Sequence, residues 1–146
     1  MKQLILIFAL SASFVMVSCD WGRKTFSRYV IVNDSDHEVI LKSFDRESQT
    51  LQKTIQLLNK GDVWEFEKFE TSEPGGGIIP PEYFFEGDSI LVEFDAERVL
   101  IYIGTYSERN ILYENNYDLK MIDNTNTVSR YYFTEADYEN AEEIGG

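Results

Sequence analysis

The chain has one cysteine, Cys19, and one histidine, His37. A lone thiol cannot close an intramolecular disulfide, so stability must come from packing in any compartment. One imidazole and one thiol cannot supply the nitrogen and sulfur ligands of an ordinary zinc site. Positive charge is scarce as well: 13 Lys and Arg stand against 26 Asp and Glu, a net charge of −13. Such acidity repels phosphate backbones and argues against nucleic-acid binding. It suits solubility, and it would draw in a basic partner.

Catalytic signatures are missing too. His37 lies among Asp34, Asp36 and Glu38, but no Gly-x-Ser-x-Gly elbow accompanies it. Gly75-Gly76-Gly77 lacks the Lys-Ser/Thr pair of a phosphate loop. An EF-hand loop counted from Asp34 would need Gly and Glu where Val39 and Asp45 stand. Asp123-Asn124-Thr125-Asn126 is turn chemistry without that ligand set. Carboxylates are so numerous that no pair stands out as a glycosidase pair. His37 therefore reads as an exposed turn histidine, and the sequence assigns no catalytic residue, metal ligand or cofactor.

What is present begins at the amino end. Lys2 precedes an uncharged run from Leu4 to Val17, shorter than the roughly 20 residues a spanning helix needs. A basic start, a short apolar run and small residues at its end are the marks of a secretory leader. Met16-Val17-Ser18-Cys19 resembles the lipobox of bacterial lipoproteins, with Met16 where Leu is usual. The resemblance implies cleavage before Cys19, a diacylglycerol on its sulfur and attachment to a membrane through lipid. Two or three acyl chains hold a protein there, whereas one alone binds marginally. Asp20, followed by Arg23 and Lys24, departs from the acidic cluster that marks surface export in some Bacteroidota lipoproteins. That departure points to the periplasmic face, at the outer membrane. The expected organisation is a leader at 1–18, a lipidated tether at 19–26 and one domain at 27–146, a length that suits a single core.

The domain reads as strands. Tyr29–Val32 and Glu38–Lys42 are β-branched runs around Asn33-Asp34-Ser35-Asp36, which predicts a hairpin. Lys53–Leu58 fits a strand better than a helix because of Thr54 and Ile55 and the turn residues Asn59–Asp62 that follow. Val63–Phe69 alternates, with Trp64 and Phe66 on one face and Glu65 and Glu67 on the other. Pro74, three glycines and Pro80-Pro81 form a breaker region, either a functional loop or a crossing between sheets. Pro81–Phe85 is expected to make one helical turn with its aromatics packed down. Ser89–Phe94 and Val99–Ile103 predict a second hairpin, and the apolar second arm predicts a central strand. Short strands are also expected near Tyr117–Ile122 and over Val128–Phe133. Thr134 should cap a short, fraying terminal helix, with Asp137 at its third position.

These elements predict an all-β antiparallel sandwich or partly closed barrel of about seven strands with a short C-terminal helix. "SRYVIVNDSDHEVIL", "GDSILVEFDAERVLIYI" and "YYFTEADYENAEE" resemble the small acidic β-rich lipoproteins of the Bacteroidota. That resemblance implies a β fold and an envelope location, and no activity. Asp88-Ser89-Ile90 resembles an O-glycosylation sequon of the same group. The expected function is a non-enzymatic binding or structural module with the membrane as partner through its lipid. One alternative is an acidic inhibitor or immunity-type protein that neutralises a basic toxin or lysozyme. Another is a carbohydrate-binding module using Trp21, Trp64 and the tyrosines, although core packing is the commoner use of such aromatics.

Overall fold

The computed structural model describes residues 24–71, 80–104, 107–122 and 126–145. The leader expected at 1–18, Cys19, Trp21 and Pro74 with its three glycines lie outside the described residues, as do Asp123-Asn124-Thr125.

Among the described residues, nine strands form two sheets. They are β1 (Lys24–Asn33), β2 (Val39–Asp45), β3 (Thr50–Leu57), β4 (Val63–Thr71), β5 (Ser89–Phe94), β6 (Arg98–Ile103), β7 (Asp118–Met121), β8 (Asn126–Phe133) and β9 (Glu142–Glu143). One sheet has the order β4-β1-β8-β7 and the other β3-β2-β5-β6-β9. The sheets pack face to face and do not close into a barrel. Pairing is antiparallel throughout except between β1 and β8, which run parallel from Phe26↔Asn126 to Asn33↔Phe133.

Period-two alternation builds the core. Tyr29 and Ile31 of β1 and Tyr131 and Phe133 of β8 face Val39 and Leu41 of β2 and Ile90, Val92 and Phe94 of β5. Trp64 and Phe66 of β4 turn inward against this core, while Glu65 and Glu67 stay exposed. Helix α1 (Glu82–Phe85) plugs one end: Phe84 and Phe85 are buried, and Ser43 Oγ donates to the Phe85 carbonyl at 2.5 Å. The chain then passes so close to β2 that a Cβ on Gly87 would lie 2.6 Å from the Phe44 carbonyl oxygen.

The second predicted hairpin, β5–β6, forms, with the register Ser89↔Ile103 to Phe94↔Arg98, and β6 starts one residue earlier than expected, at Arg98. Its turn places Asp95 and Ala96 at φ 50° and 56°, the double positive φ of a type I′ turn. The first predicted hairpin is corrected. β1 and β2 lie in different sheets, β1 between β4 and β8 and β2 between β3 and β5. The connection is a corner, bent by the buried Asn33 side chain, which turns β2 away from β1.

β6 is also corrected. β9 covers it only at Arg98 and Val99, so its further half is an edge, with Ile101 66% and Ile103 40% exposed. At the carboxyl end, Thr134 and Asp137 form the expected capping box on α2 (Glu135–Asn140). The chain turns at the buried Ala141 into β9, and the Ile144 N–H donates to the Glu97 carbonyl at 2.8 Å.

Candidate functional site

Strands β1, β3, β5 and β8 all end at one pole of the sandwich, opposite the end where β1 begins. Four connections meet at this pole: the corner 34–38, the β3–β4 turn, the β5–β6 turn and the start of α2. Their residues are polar because turns need side chains that hydrogen-bond the backbone. The outcome is a concentration of carboxylates (Asp34, Asp36, Glu38, Asp95, Glu97 and Glu135) with Lys60 and Arg98 as nearby cations.

Asn33 pins the corner. It is fully buried, and its amide nitrogen donates to the His37 carbonyl at 2.7 Å and the Leu57 carbonyl at 3.1 Å. Its side-chain oxygen accepts from the Ser35 N–H at 3.0 Å and the Ser35 hydroxyl at 2.7 Å. Its backbone is tied to Gly61 and Asp62 of the β3–β4 turn.

His37 sits above this pin. Nδ1 is 2.6 Å from Asp95 Oδ2 and Nε2 is 3.1 Å from Glu135 Oε2. The imidazole stacks on the Tyr138 ring, centroids 3.5 Å apart and 9° from parallel, and the Arg98 guanidinium lies 4.8 Å from the same ring's centroid. The other oxygen of each carboxylate takes a backbone N–H: Asp95 Oδ1 from Glu38 at 2.8 Å, Glu135 Oε1 from Asp36 at 2.5 Å. Burial would lower the histidine's pKa, but the hydrogen bond and charge of Asp95 and the charge of Glu135 outweigh it, and the pKa is raised above 6.5. Asp95 is held below the usual carboxylate range, chiefly by the bond to His37.

When protonated, His37 is a cation between two carboxylates. Both ring nitrogens are engaged, and Ser35 turns its hydroxyl toward Asn33 and the His37 carbonyl. Among the described residues, no Ser-His-Asp relay is assembled at His37. The expectation of an exposed turn histidine holds for the turn only: the side chain is 21% exposed and joins residues 58 and 98 positions away. Those separations leave no local signal in the sequence.

A second polar cluster anchors α2 from beneath. Asp137, 4% exposed, accepts from Arg109 Nε at 2.9 Å and from its Nη2 at 2.5 Å. It also accepts from the Thr134 N–H and hydroxyl. The Tyr131 hydroxyl donates to the Arg109 carbonyl at 2.6 Å, and burial pushes the Tyr131, Tyr117 and Tyr102 phenols well up, so they stay protonated.

Of the aromatics expected to offer a sugar platform, Tyr29, Tyr102, Tyr117 and Tyr131 are buried, and Trp64, Tyr113, Tyr132 and Tyr138 are half-buried. Trp64 packs against Phe66 and Phe85, and among the described residues Tyr83 is the one aromatic among the exposed large apolar side chains. Ser89 opens β5, its hydroxyl donating to the Phe44 carbonyl at 3.2 Å. Among the described residues, no group of three or more His, Cys, Asp or Glu side chains is placed to hold a metal ion. Nor is any described helix long and apolar enough to cross a membrane.

Comparison with protein-family models, with curated proteins and with solved structures finds no match for this chain. The class rests on the fold itself, an all-β domain of two packed sheets with a short capped helix near its carboxyl end.

Proposed function

We propose that this protein is a non-enzymatic binding module, held to a membrane by lipid on Cys19 and presenting its acidic turn pole away from that membrane. The resemblance of Met16-Val17-Ser18-Cys19 to a lipobox supports the anchor, and the polarity of β1 supports the orientation. The strand starts at Lys24, five positions after Cys19, and runs to the pole. Five residues reach at most about 17 Å. The 10 residues of β1 add about 33 Å. A domain tethered at Cys19 would carry its acidic turns several Debye lengths (about 8 Å each in physiological salt) from the lipid headgroups.

The test replaces Cys19 with Ser in the full chain and compares labelling by an alkyne palmitate and partition into membranes. Wild type should label and sediment with membranes, and Cys19→Ser should do neither. An unlabelled wild type, or a variant that still sediments, removes the anchor from the proposal.

A basic protein, such as a cationic toxin or lysozyme, is the second reading, favoured by the gathering of carboxylates at one end. Hen lysozyme serves as a probe of stated charge. The double variant Glu38→Gln, Glu97→Gln should bind it more weakly at low salt than a control of equal charge with Glu65→Gln and Glu67→Gln on β4. Equal loss in both would mean that net charge alone is responsible.

A further inference from the structure

The site around His37 has a property that does not depend on the anchor or on any partner. A neutral imidazole offers one N–H and one lone pair, whereas the protonated ring offers two donors. Here both nitrogens face carboxylate oxygens, at 2.6 Å and 3.1 Å. Only the cation satisfies both.

We propose that His37 is a proton-operated clasp: charged, it ties the corner to the β5–β6 turn and to α2 at once, and on losing its proton it keeps Asp95 and releases Glu135. The two carboxylates are unequally held. Asp95 has the shorter contact, a second bond from the Glu38 N–H, and a place in a tight type I′ turn. Glu135 reaches over on a long side chain that is 49% exposed. With the proton gone, the lone pair left on Nε2 would face Glu135 and repel it. Glu135 also accepts from the Asp36 N–H at 2.5 Å, so its departure strips that amide of its partner.

The surroundings favour the charged ring from every side. The corner contributes Asp34, Asp36 and Glu38, the β5–β6 turn Asp95 and Glu97, and α2 Glu135 and Glu139 beside Tyr138. Opposing them, Lys60 of the β3–β4 turn is engaged by Asp36 at 3.0 Å, near Asp62 of the same turn. Arg98 of β6 lies over Tyr138 and donates to the Tyr138 and Glu139 carbonyls. A cationic ring stacked on Tyr138 gains the attraction of an aromatic face as well. The raised pKa of His37 follows from the same geometry. The clasp's contribution to stability is complete below about pH 6.5, the unfolded value, and is lost as pH rises through the higher folded value.

His37 is the only histidine, so its imidazole signals are assigned in an NMR titration of the full chain without further variants. Its midpoint should lie above 6.5, and Glu135→Gln should lower it. Across the midpoint the Asp36 amide should lose hydrogen-exchange protection while the Glu38 amide, held by Asp95, keeps its own. A midpoint at or below 6.5, or one that Glu135→Gln leaves in place, overturns the clasp. So does simultaneous loss of protection at both amides, which would report loosening of the whole corner. As a second measurement, the melting temperature of wild type should fall as pH rises through the midpoint and that of His37→Gln should not. An equal fall in both would assign the proton to another group.

Discussion

The chain changes direction at Asn33 and at Asp95-Ala96 with similar materials: acidic and amide residues between β-branched runs. The outcomes differ. At Asp95-Ala96 the two arms become neighbours in one sheet, closed by the Glu97 N–H donating to the Phe94 carbonyl at 2.9 Å. At Asn33 the arms are sent to opposite sheets. In the hairpin the backbone itself supplies the turn, through two positive φ angles whose twist matches that of the strands. In the corner a buried side chain supplies it, reaching Leu57 across the gap between layers. Two short runs around polar residues therefore specify strands but leave their pairing open. The pairing is decided by whether the turn's hydrogen bonds stay within the turn or reach another element.

Breaking the corner should cost the most. Asn33→Ala deletes a fully buried amide and leaves the His37 and Leu57 carbonyls and the Ser35 donors without it, a loss of about 3 kcal/mol in urea unfolding. A loss below about 1 kcal/mol would mean that water or a shifted turn can replace it. On the hairpin side, Asp95→Ala removes the bond from the Glu38 N–H and the contact to His37, and puts a β-carbon residue without local hydrogen bonding at positive φ. We expect about 1–2 kcal/mol. Asp95→Asn, which tolerates that backbone and can still accept from Glu38, should cost less. If the two variants unfold alike, the turn's shape does not depend on this side chain. The smallest effect has the opposite sign: Ala96→Gly relieves a left-handed alanine and should stabilise by up to about 1 kcal/mol. A thermal melt unchanged or lowered by that substitution would show that chain entropy outweighs the relief.

Much of the fold is legible because it is local. The alternation of Trp64 and Phe66 with Glu65 and Glu67 gives the facing of β4. Thr134 with Asp137 gives the start of α2. Ser89–Ile103 gives a hairpin, with its register left to the structure. What is not legible is set by distant partners. Val99, Ile101 and Ile103 look like a strand buried on both faces, yet they lie on a half-covered edge. The terminal Glu142-Glu143 has no strand character and pairs because α2 delivers it to β6. The candidate site is the least legible: Asp95 and Glu135 stand 58 and 98 positions from His37, and ordinary turn and helix-start chemistry accounts for both.

The parallel pairing of β1 with β8 has a consequence for biogenesis. Each β1 residue from Phe26 to Asn33 finds its β8 neighbour 100 positions later in the chain. As the chain emerges, from a ribosome or from an export channel, β1 must wait for nearly the whole domain before its second flank is covered. β4 can shield one side early, but until β8 arrives the other side exposes a row of backbone groups able to recruit a neighbouring nascent chain. High sequence separation also makes closure slow. A protein built this way gains from a chaperone that holds its first strand in transit, and a stop codon anywhere before Asn126 should yield aggregates rather than a smaller folded unit.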